Sequence, residues 1–258
     1  MSVINPNQYL PILSYPDQFF RHGLEYSVHK MRFSEQKSIA ESNRNICRSL
    51  CQKAIKNTDD FPYIYFTAGA TEGINYFFQA MDLQIFANEY RYVQTLPHSY
   101  QPTSDGIFYS NPFSGSGKLQ NLSFEKNNII DLTYLFATEM NQPITLPKQT
   151  CAALFSLSKS HNLADLRIGW ILSKQMIPCF HVLQYDYGYI NSLLSSVLAK
   201  IASEKLNYLY LKYNDRLQRL YKQNGLESTD TNLFALNKNG QRIPYYSLLK
   251  HGELLENI

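Results

Sequence analysis

The segment at residues 156–170 constrains this chain most. It places Lys159 between two serines, Ser158 and Ser160, adds Ser156 just before them, and follows the lysine eight positions later with Arg167. A lysine attacks an aldehyde only when its pKa is lowered, and a phosphate needs hydroxyl and guanidinium partners at fixed positions. The segment therefore suggests a lysine that bonds to a phosphate-bearing aldehyde. The alternative is a chance serine–lysine cluster before a strand that simply enters the core.

A strand, a turn of small residues and a helix start precede that segment. Residues 63–66 predict a short buried strand, and Gly69, Ala70 and Thr71 lie in the turn before an apolar-periodic helix that runs to about Met81. The first backbone N–H groups of a helix are unpaired and attract anions, so the turn suits a phosphate. An ordinary turn with a threonine N-cap is the alternative.

Two further predicted strands end in polar side chains. Residues 105–112 predict a turn, an apolar strand and a stop at Asn111 and Pro112. Residues 127–134 predict a strand that ends in Asp131, with Tyr134 three positions later. The aspartate and tyrosine also fit an ordinary turn or helix start. Their place between the Asn-Pro pair and the lysine segment favours a functional role.

In this order, these elements resemble the cofactor site of the fold-type I pyridoxal 5'-phosphate (PLP) enzymes, the aspartate aminotransferase superfamily. The lysine segment is most similar to that of the plant tryptophan aminotransferase and alliinase branch. The resemblance covers residues 60–175. It implies an α/β fold with a mainly parallel sheet and helices on both faces, plus a small, reduced C-terminal α+β part.

The resemblance also implies a role for each residue. Lys159 would hold PLP as a Schiff base and then move a proton, and Asp131 would keep the pyridine nitrogen protonated. Tyr134 and Asn111 would share the phenolic oxygen of the cofactor. The catalytic residues implied are thus Lys159, Asp131 and Tyr134. The implied phosphate-side residues are Gly69, Ala70, Thr71, Ser156, Ser158 and Arg167.

Residues 93–100 predict a strand that ends in a proline turn with two rings after it. In the family, an aromatic side chain at this place stacks on the pyridine ring. The resemblance therefore implies Tyr100 as the stacking residue, with His98 as second choice. A solvated loop side chain is the alternative for both.

Composition excludes several other classes. The 258 residues carry a net charge of +3 without a basic array, which argues against nucleic acid. No segment approaches eighteen apolar residues, and the first residues lack a basic start and an apolar run, so we expect no membrane span and a cytoplasmic location. The cysteines fit neither a metal site nor a disulfide framework, which suits a reducing compartment; they are Cys47, Cys51, Cys151 and Cys179.

We expect three parts along the chain: an N-terminal arm at residues 1–33, a shortened PLP-binding domain at residues 34–185, and a linking helix with a reduced small domain at residues 186–258. Apolar periodicity predicts helices at residues 34–57, 186–224 and 245–255. The second of these is either one long helix or two joined helices. Residues 232–236 predict a strand.

The chain departs from the resembled family in two places. It is short between the phosphate turn and Asn111, where at least one strand and one helix are expected to be missing. It also stops before the strands that carry the arginine for the substrate carboxylate. Arg242 is one candidate to replace that arginine, and a solvated arginine in a turn is the alternative reading.

The resemblance implies an aminotransferase that acts on an amino acid through Lys159. A PLP-dependent lyase that eliminates or substitutes at the β-carbon is the first alternative, and a non-catalytic relative is the second. In the family the site lies at a two-fold interface, so we expect a homodimer. The partner's arm, around residues 26–33, would then cover the cofactor and supply Arg32.

Overall fold

The computed structural model describes residues 36–101, 103–121, 123–140, 142–161, 163–188 and 206–249. The expected arm at residues 1–33, including Arg32, lies outside the described residues. So do residues 189–205 of the expected linking helix and residues 250–258, which include the second half of the helix expected at 245–255.

A six-stranded sheet forms the centre of the described chain. Its order is β1-β6-β5-β4-β3-β2. Strands β2 to β5 pair in parallel, and β6 alone runs antiparallel to both of its neighbours, β1 and β5. The expected mainly parallel sheet is confirmed. The strands are β1 Tyr63–Ala68, β2 Leu83–Ile85, β3 Gly106–Ser110, β4 Asn128–Asp131, β5 Thr150–Ser156 and β6 Ile168–Ser173.

Helices cover both faces of this sheet. Because side chains alternate between faces along a strand, Phe155 and Leu154 belong to different apolar clusters. Phe155 packs in one cluster with Cys51 of α1, and Leu154 packs in the other with Phe77 of α2. The helices are α1 Gln36–Ala54, α2 Ala70–Ala80, α3 Arg91–Gln94, α4 Leu157–Ser160, α5 Pro178–His181 and α6 Tyr208–Gln223.

The predicted strand at residues 93–96 is wrong, because this stretch contains the end of the short helix α3. Val93 and Leu96 turn inward while the residues between them stay exposed, and the Leu96 backbone N–H donates to the Val93 carbonyl at 3.1 Å. A spacing of three between inward residues belongs to a helical turn rather than a strand. The strand of this region is β2, ten residues earlier, which the sequence reading missed.

The C-terminal described part consists of α6 and a two-stranded hairpin. Strand β7, Phe234–Leu236, lies within the predicted strand, and it pairs antiparallel with β8, Arg242–Pro244. The structure thus places Arg242 in a strand and not in a turn. Where a helix is predicted from residue 245, the described residues form one 3-10 turn at Tyr245–Ser247.

Helix α1 agrees with the helix predicted at residues 34–57, and it buries two of the four cysteines. Cys47 and Cys51 lie one turn apart in the core, and Trp170 Nε1 donates to Cys51 Sγ at 3.3 Å. Within the described residues, no His, Cys, Asp and Glu side chains group as a metal site. No helix in the described part of the chain is long and apolar enough to span a membrane.

Candidate active site

A pocket of about 300 Å³ opens where the parallel strands end. Ser110, Asp131 and Ser156 are the last residues of β3, β4 and β5, and all three line it. Ligands of open α/β sheets bind at this edge, beyond the carboxyl ends of the strands. The lining residues are Ala70, Thr71, Ile74, Tyr90, Ser110, Asp131, Thr133, Tyr134, Ser156, Ser158, Lys159 and Arg167.

Lys159 reaches this pocket because a single helical turn, α4, follows β5 directly. Ser156 is the N-cap of that turn, and its Oγ accepts a hydrogen bond from the Ser158 backbone N–H at 3.2 Å. The cap ends the strand and turns Lys159 towards the pocket. Desolvation of its amine lowers the pKa of Lys159, and the nearby charge of Arg167 lowers this pKa further, although the residue as a whole remains exposed. Less protonated lysine is a better nucleophile.

Arg167 lies against the N-terminus of α2. Its Nη2 donates to the Ala68 carbonyl at 3.0 Å and to Thr71 Oγ1 at 3.2 Å. Gly69 makes this approach feasible, because it has a φ of 74° and a Cβ there would lie 2.9 Å from Nη2. A guanidinium, a hydroxyl and the free N–H groups of a helix start therefore meet at one end of the pocket, which suits a phosphate.

Asp131 is a buried carboxylate in the pocket wall. Its Oδ1 accepts from the Thr133 backbone N–H at 2.9 Å and from Thr133 Oγ1 at 2.6 Å, and its Oδ2 accepts from the Tyr90 hydroxyl at 3.0 Å. Burial raises the pKa of Asp131, and the bonds from Thr133 and Tyr90 oppose that rise. The carboxylate is thus held in place and points at the pocket from a position that allows little solvent.

Tyr134 also lines the pocket, at the side nearest the C-terminal hairpin. Its ring packs edge-on against Phe234 of β7, with 6.0 Å between the ring centroids. The guanidinium of Arg242 lies over the Phe234 ring, 5.7 Å from its centroid. Arg242 is therefore packed against Phe234 and half-buried, and it does not line the pocket.

Asn111 lies beside the site, but its side chain does not line the pocket. Its backbone N–H donates to the Asp131 carbonyl at 2.8 Å. Its side-chain amide pairs with the Gln120 backbone, donating at 3.0 Å and accepting at 2.9 Å. The resemblance assigns the Asn111 amide to the phenolic oxygen of the cofactor. In the structure this amide is instead hydrogen-bonded to the diverged loop that follows Asn111.

Neither Tyr100 nor His98 lines the pocket. Tyr100 is 83% exposed, and its hydroxyl pairs with His98 Nε2 at 2.8 Å on the surface. Besides Tyr134, the pocket is lined by the aromatic ring of Tyr90, which the sequence reading missed. Recognising strand β2 could have identified Tyr90. Because β2 runs parallel to β3, the residues that follow β2 lie at the same edge of the sheet as the pocket.

No protein-family model and no curated protein matches the sequence. Solved structures resemble the fold. Apo-BacF from Bacillus subtilis has a TM-score of 0.64 at 14% identity, covering 96% of this chain and 85% of its own. Alanine aminotransferase from Pyrococcus furiosus has a TM-score of 0.61 at 12% identity, and the match covers 87% of this chain and 74% of that protein.

A PLP-bound C-S lyase from Staphylococcus hominis is similar to the same degree, with a TM-score of 0.60 at 12% identity, covering 85% of this chain and 72% of its own. These likenesses do not single out the plant branch. They agree with a mixed α/β fold built on a mainly parallel sheet. The chain therefore has the fold of the fold-type I PLP-dependent aminotransferases.

Proposed function

We propose that this chain binds PLP in the strand-end pocket and acts as an aminotransferase on an amino acid. One observation carries the proposal. A single pocket holds a lysine with a lowered pKa, an arginine at a helix N-terminus and a buried carboxylate. These are the groups that an aldehyde, a phosphate and a pyridine nitrogen require.

The phosphate end of PLP fits the residues around Arg167. Thr71, Ser156 and Ser158 offer hydroxyl groups there, and Ala70 begins α2, where backbone N–H groups have no partner within the helix. The absence of a Cβ at Gly69 leaves the space that Arg167 fills. We propose that these residues bind the phosphate and fix the orientation of the cofactor.

The ring end of PLP fits the residues around Asp131. The Asp131 carboxylate would hold the proton on the pyridine nitrogen, and the Tyr134 hydroxyl would donate to the phenolic oxygen. Tyr90 forms the wall beside Asp131, so we propose Tyr90 in place of Tyr100 as the aromatic contact of the ring. When bound, PLP supplies an electron-withdrawing ring that stabilises negative charge on the substrate α-carbon. The Lys159 amine is then placed to remove the proton from that carbon.

A PLP-dependent lyase is the second candidate, because the C-S lyase from Staphylococcus hominis resembles this chain as closely as the aminotransferases do. Both reactions use the same lysine base, and they differ in which substrate bond breaks. A non-catalytic role is less well supported. Lys159, Asp131 and Arg167 all line one pocket, which a scaffold alone does not require.

Incubation of the PLP-loaded protein with a panel of amino acids tests the reaction. With a 2-oxo acid acceptor present, we expect a new amino acid and a new 2-oxo acid to form in equal amounts. Ammonia and pyruvate formed without an acceptor would identify the lyase instead. Lys159→Ala is the control, and turnover that survives this change would overturn both assignments.

A further inference from the structure

Glu89 is a buried carboxylate that lies beside the pocket without lining it. Only 1% of its surface is exposed. Its Oε1 accepts from the Ser110 backbone N–H at 2.7 Å. Its Oε2 accepts from Ser110 Oγ at 2.7 Å and from Ser114 Oγ at 2.6 Å. The carboxylate is thus held by three neutral donors.

A carboxylate in this position is costly for the fold. Burial raises the pKa of Glu89, the bonds from Ser114 and Ser110 oppose the rise, and the charge of Asp131 adds to it. An apolar side chain of similar volume would avoid this cost. The arrangement therefore points to a role in fixing geometry, which depends on what the three hydrogen bonds connect.

The three hydrogen bonds connect two segments of the site. Glu89 immediately precedes Tyr90, whose hydroxyl donates to Asp131. Ser110 ends β3 and is the pairing partner of Asp131 in β4. Since Ser110 is fixed relative to Asp131 by the sheet, Glu89 ties the Tyr90 segment to the same frame.

Ser114 extends the clamp into the loop after Asn111. Its backbone N–H donates to Ser110 Oγ at 2.7 Å, and its carbonyl accepts from Arg242 Nη1 at 2.8 Å. Ser114 is therefore held by Glu89 on one side and by the C-terminal hairpin on the other. The loop that follows β3 cannot move without breaking bonds to both.

We propose that Glu89 is a positioning residue for the pocket: its carboxylate locks the Tyr90 segment to the end of β3, so that the Tyr90 hydroxyl stays on Asp131. This inference rests on the proposed function at one point, the contact of Asp131 with the cofactor ring. The clamp itself exists without the cofactor, and it can be tested there.

The test follows the titration of Asp131 in the full chain without PLP, by NMR of protein labelled with 13C at the aspartate carboxyl carbons. Asp131→Asn identifies the resonance. Tyr90→Phe removes the hydrogen bond outright and is expected to raise the midpoint, because a donor favours the charged carboxylate. Glu89→Ala is expected to weaken the same hydrogen bond, which raises the midpoint, but it also removes the Glu89 charge, which by itself lowers the midpoint.

Glu89→Gln is the matched control. It lacks the charge, as Glu89→Ala does, but its amide keeps the shape and an oxygen for the Ser110 N–H. The difference between the two variants therefore isolates the clamp, and we expect a higher midpoint in Glu89→Ala. Equal midpoints in the two variants would overturn the proposal. If Glu89→Ala does not fold, Glu89→Leu replaces it, because leucine keeps much of the volume and accepts none of the three hydrogen bonds; a midpoint equal to that of Glu89→Gln would overturn the proposal too.

PLP binding gives the second measurement. Glu89→Ala is expected to raise the PLP dissociation constant about tenfold, the value of one hydrogen bond to a charged group. Asp105→Asn is the control, since it alters a carboxylate that accepts from the Asp82 backbone N–H at 2.8 Å, at the opposite end of β3. An equal loss of affinity in both variants would contradict the clamp. A wild-type chain that binds no PLP overturns the proposed function, while the Asp131 titrations still decide the role of Glu89.

Discussion

Gly69 shows how one residue without a side chain shapes the phosphate end of the pocket. Its φ of 74° and ψ of 176° fall in a region that is almost exclusive to glycine. The space beside it is filled by the Arg167 guanidinium. Backbone conformation and ligand geometry therefore depend on the same position.

Gly69→Ala is expected to lower the free energy of unfolding by about 1–3 kcal/mol through backbone strain. It should also weaken PLP binding, because the new methyl group displaces Arg167. Urea unfolding and a PLP titration measure the two effects. Gly225→Ala is the matched control, with a φ of 65° and no atom within 4 Å of the new Cβ. PLP affinity lost equally in both variants would contradict the steric account.

Asp131 is expected to control the electronics of the ring and only secondarily its binding. Asp131→Asn should therefore retain PLP through the phosphate contacts while turnover falls by about a hundredfold or more. Steady-state kinetics with a PLP-binding curve separate the two. Unchanged turnover in Asp131→Asn would contradict the assignment.

At the scale of elements, local motifs were predictable and the long-range arrangement was less so. Residues 156–167 were recognised because the N-cap, the lysine and the arginine lie within one short segment. Asp131 and Tyr134 were found because a strand end is visible in the sequence. Tyr90 was missed because β2 has only three residues, and because the strand predicted from residue 93 is the end of a short helix.

The direction of the Asn111 side chain also could not be predicted from the sequence. Its position at the end of β3 was predicted, but its amide pairs with the Gln120 backbone, nine residues later, in a loop that differs from the family pattern. Arg242 is similar, since its partner Ser114 lies 128 residues away. Contacts of this separation leave no periodic signal.

Packing of α1 on the sheet makes a prediction about cysteine reactivity. Burial raises the pKa of Cys51 to about 12 and raises that of Cys47, so neither is a thiolate at pH 8. Cys179 is exposed. We expect a thiol reagent to modify Cys179 first and to reach Cys47 and Cys51 only on unfolding. Mass spectrometry over time measures this order, and early labelling of Cys51 would contradict the packing of α1.

At the scale of the whole molecule, we keep the division into an arm at 1–33, a PLP-binding part at 34–185 and a C-terminal part at 186–258 as a proposal. The described C-terminal part reaches the pocket through Phe234, which packs on Tyr134. The hairpin therefore packs behind Tyr134, and none of its residues is among those that line the pocket.

We also propose a homodimer in which the partner's arm closes the pocket. Light scattering of the PLP-bound protein at micromolar concentration is expected to give twice the mass of 29.9 kDa. Arg32→Ala should weaken amino acid binding if the arm supplies the carboxylate partner. A monomer that turns over substrate would contradict the shared site.

Covalent attachment of PLP to Lys159 is the central claim, and borohydride reduction followed by peptide mass spectrometry tests it most directly. The purified chain with added PLP is expected to absorb near 400 nm, as a protonated lysine adduct of this cofactor does. After reduction, the cofactor mass should lie on the peptide that contains Lys159, and it should be absent in Lys159→Ala. No absorbance near 400 nm, or a label on a different lysine, would contradict the account.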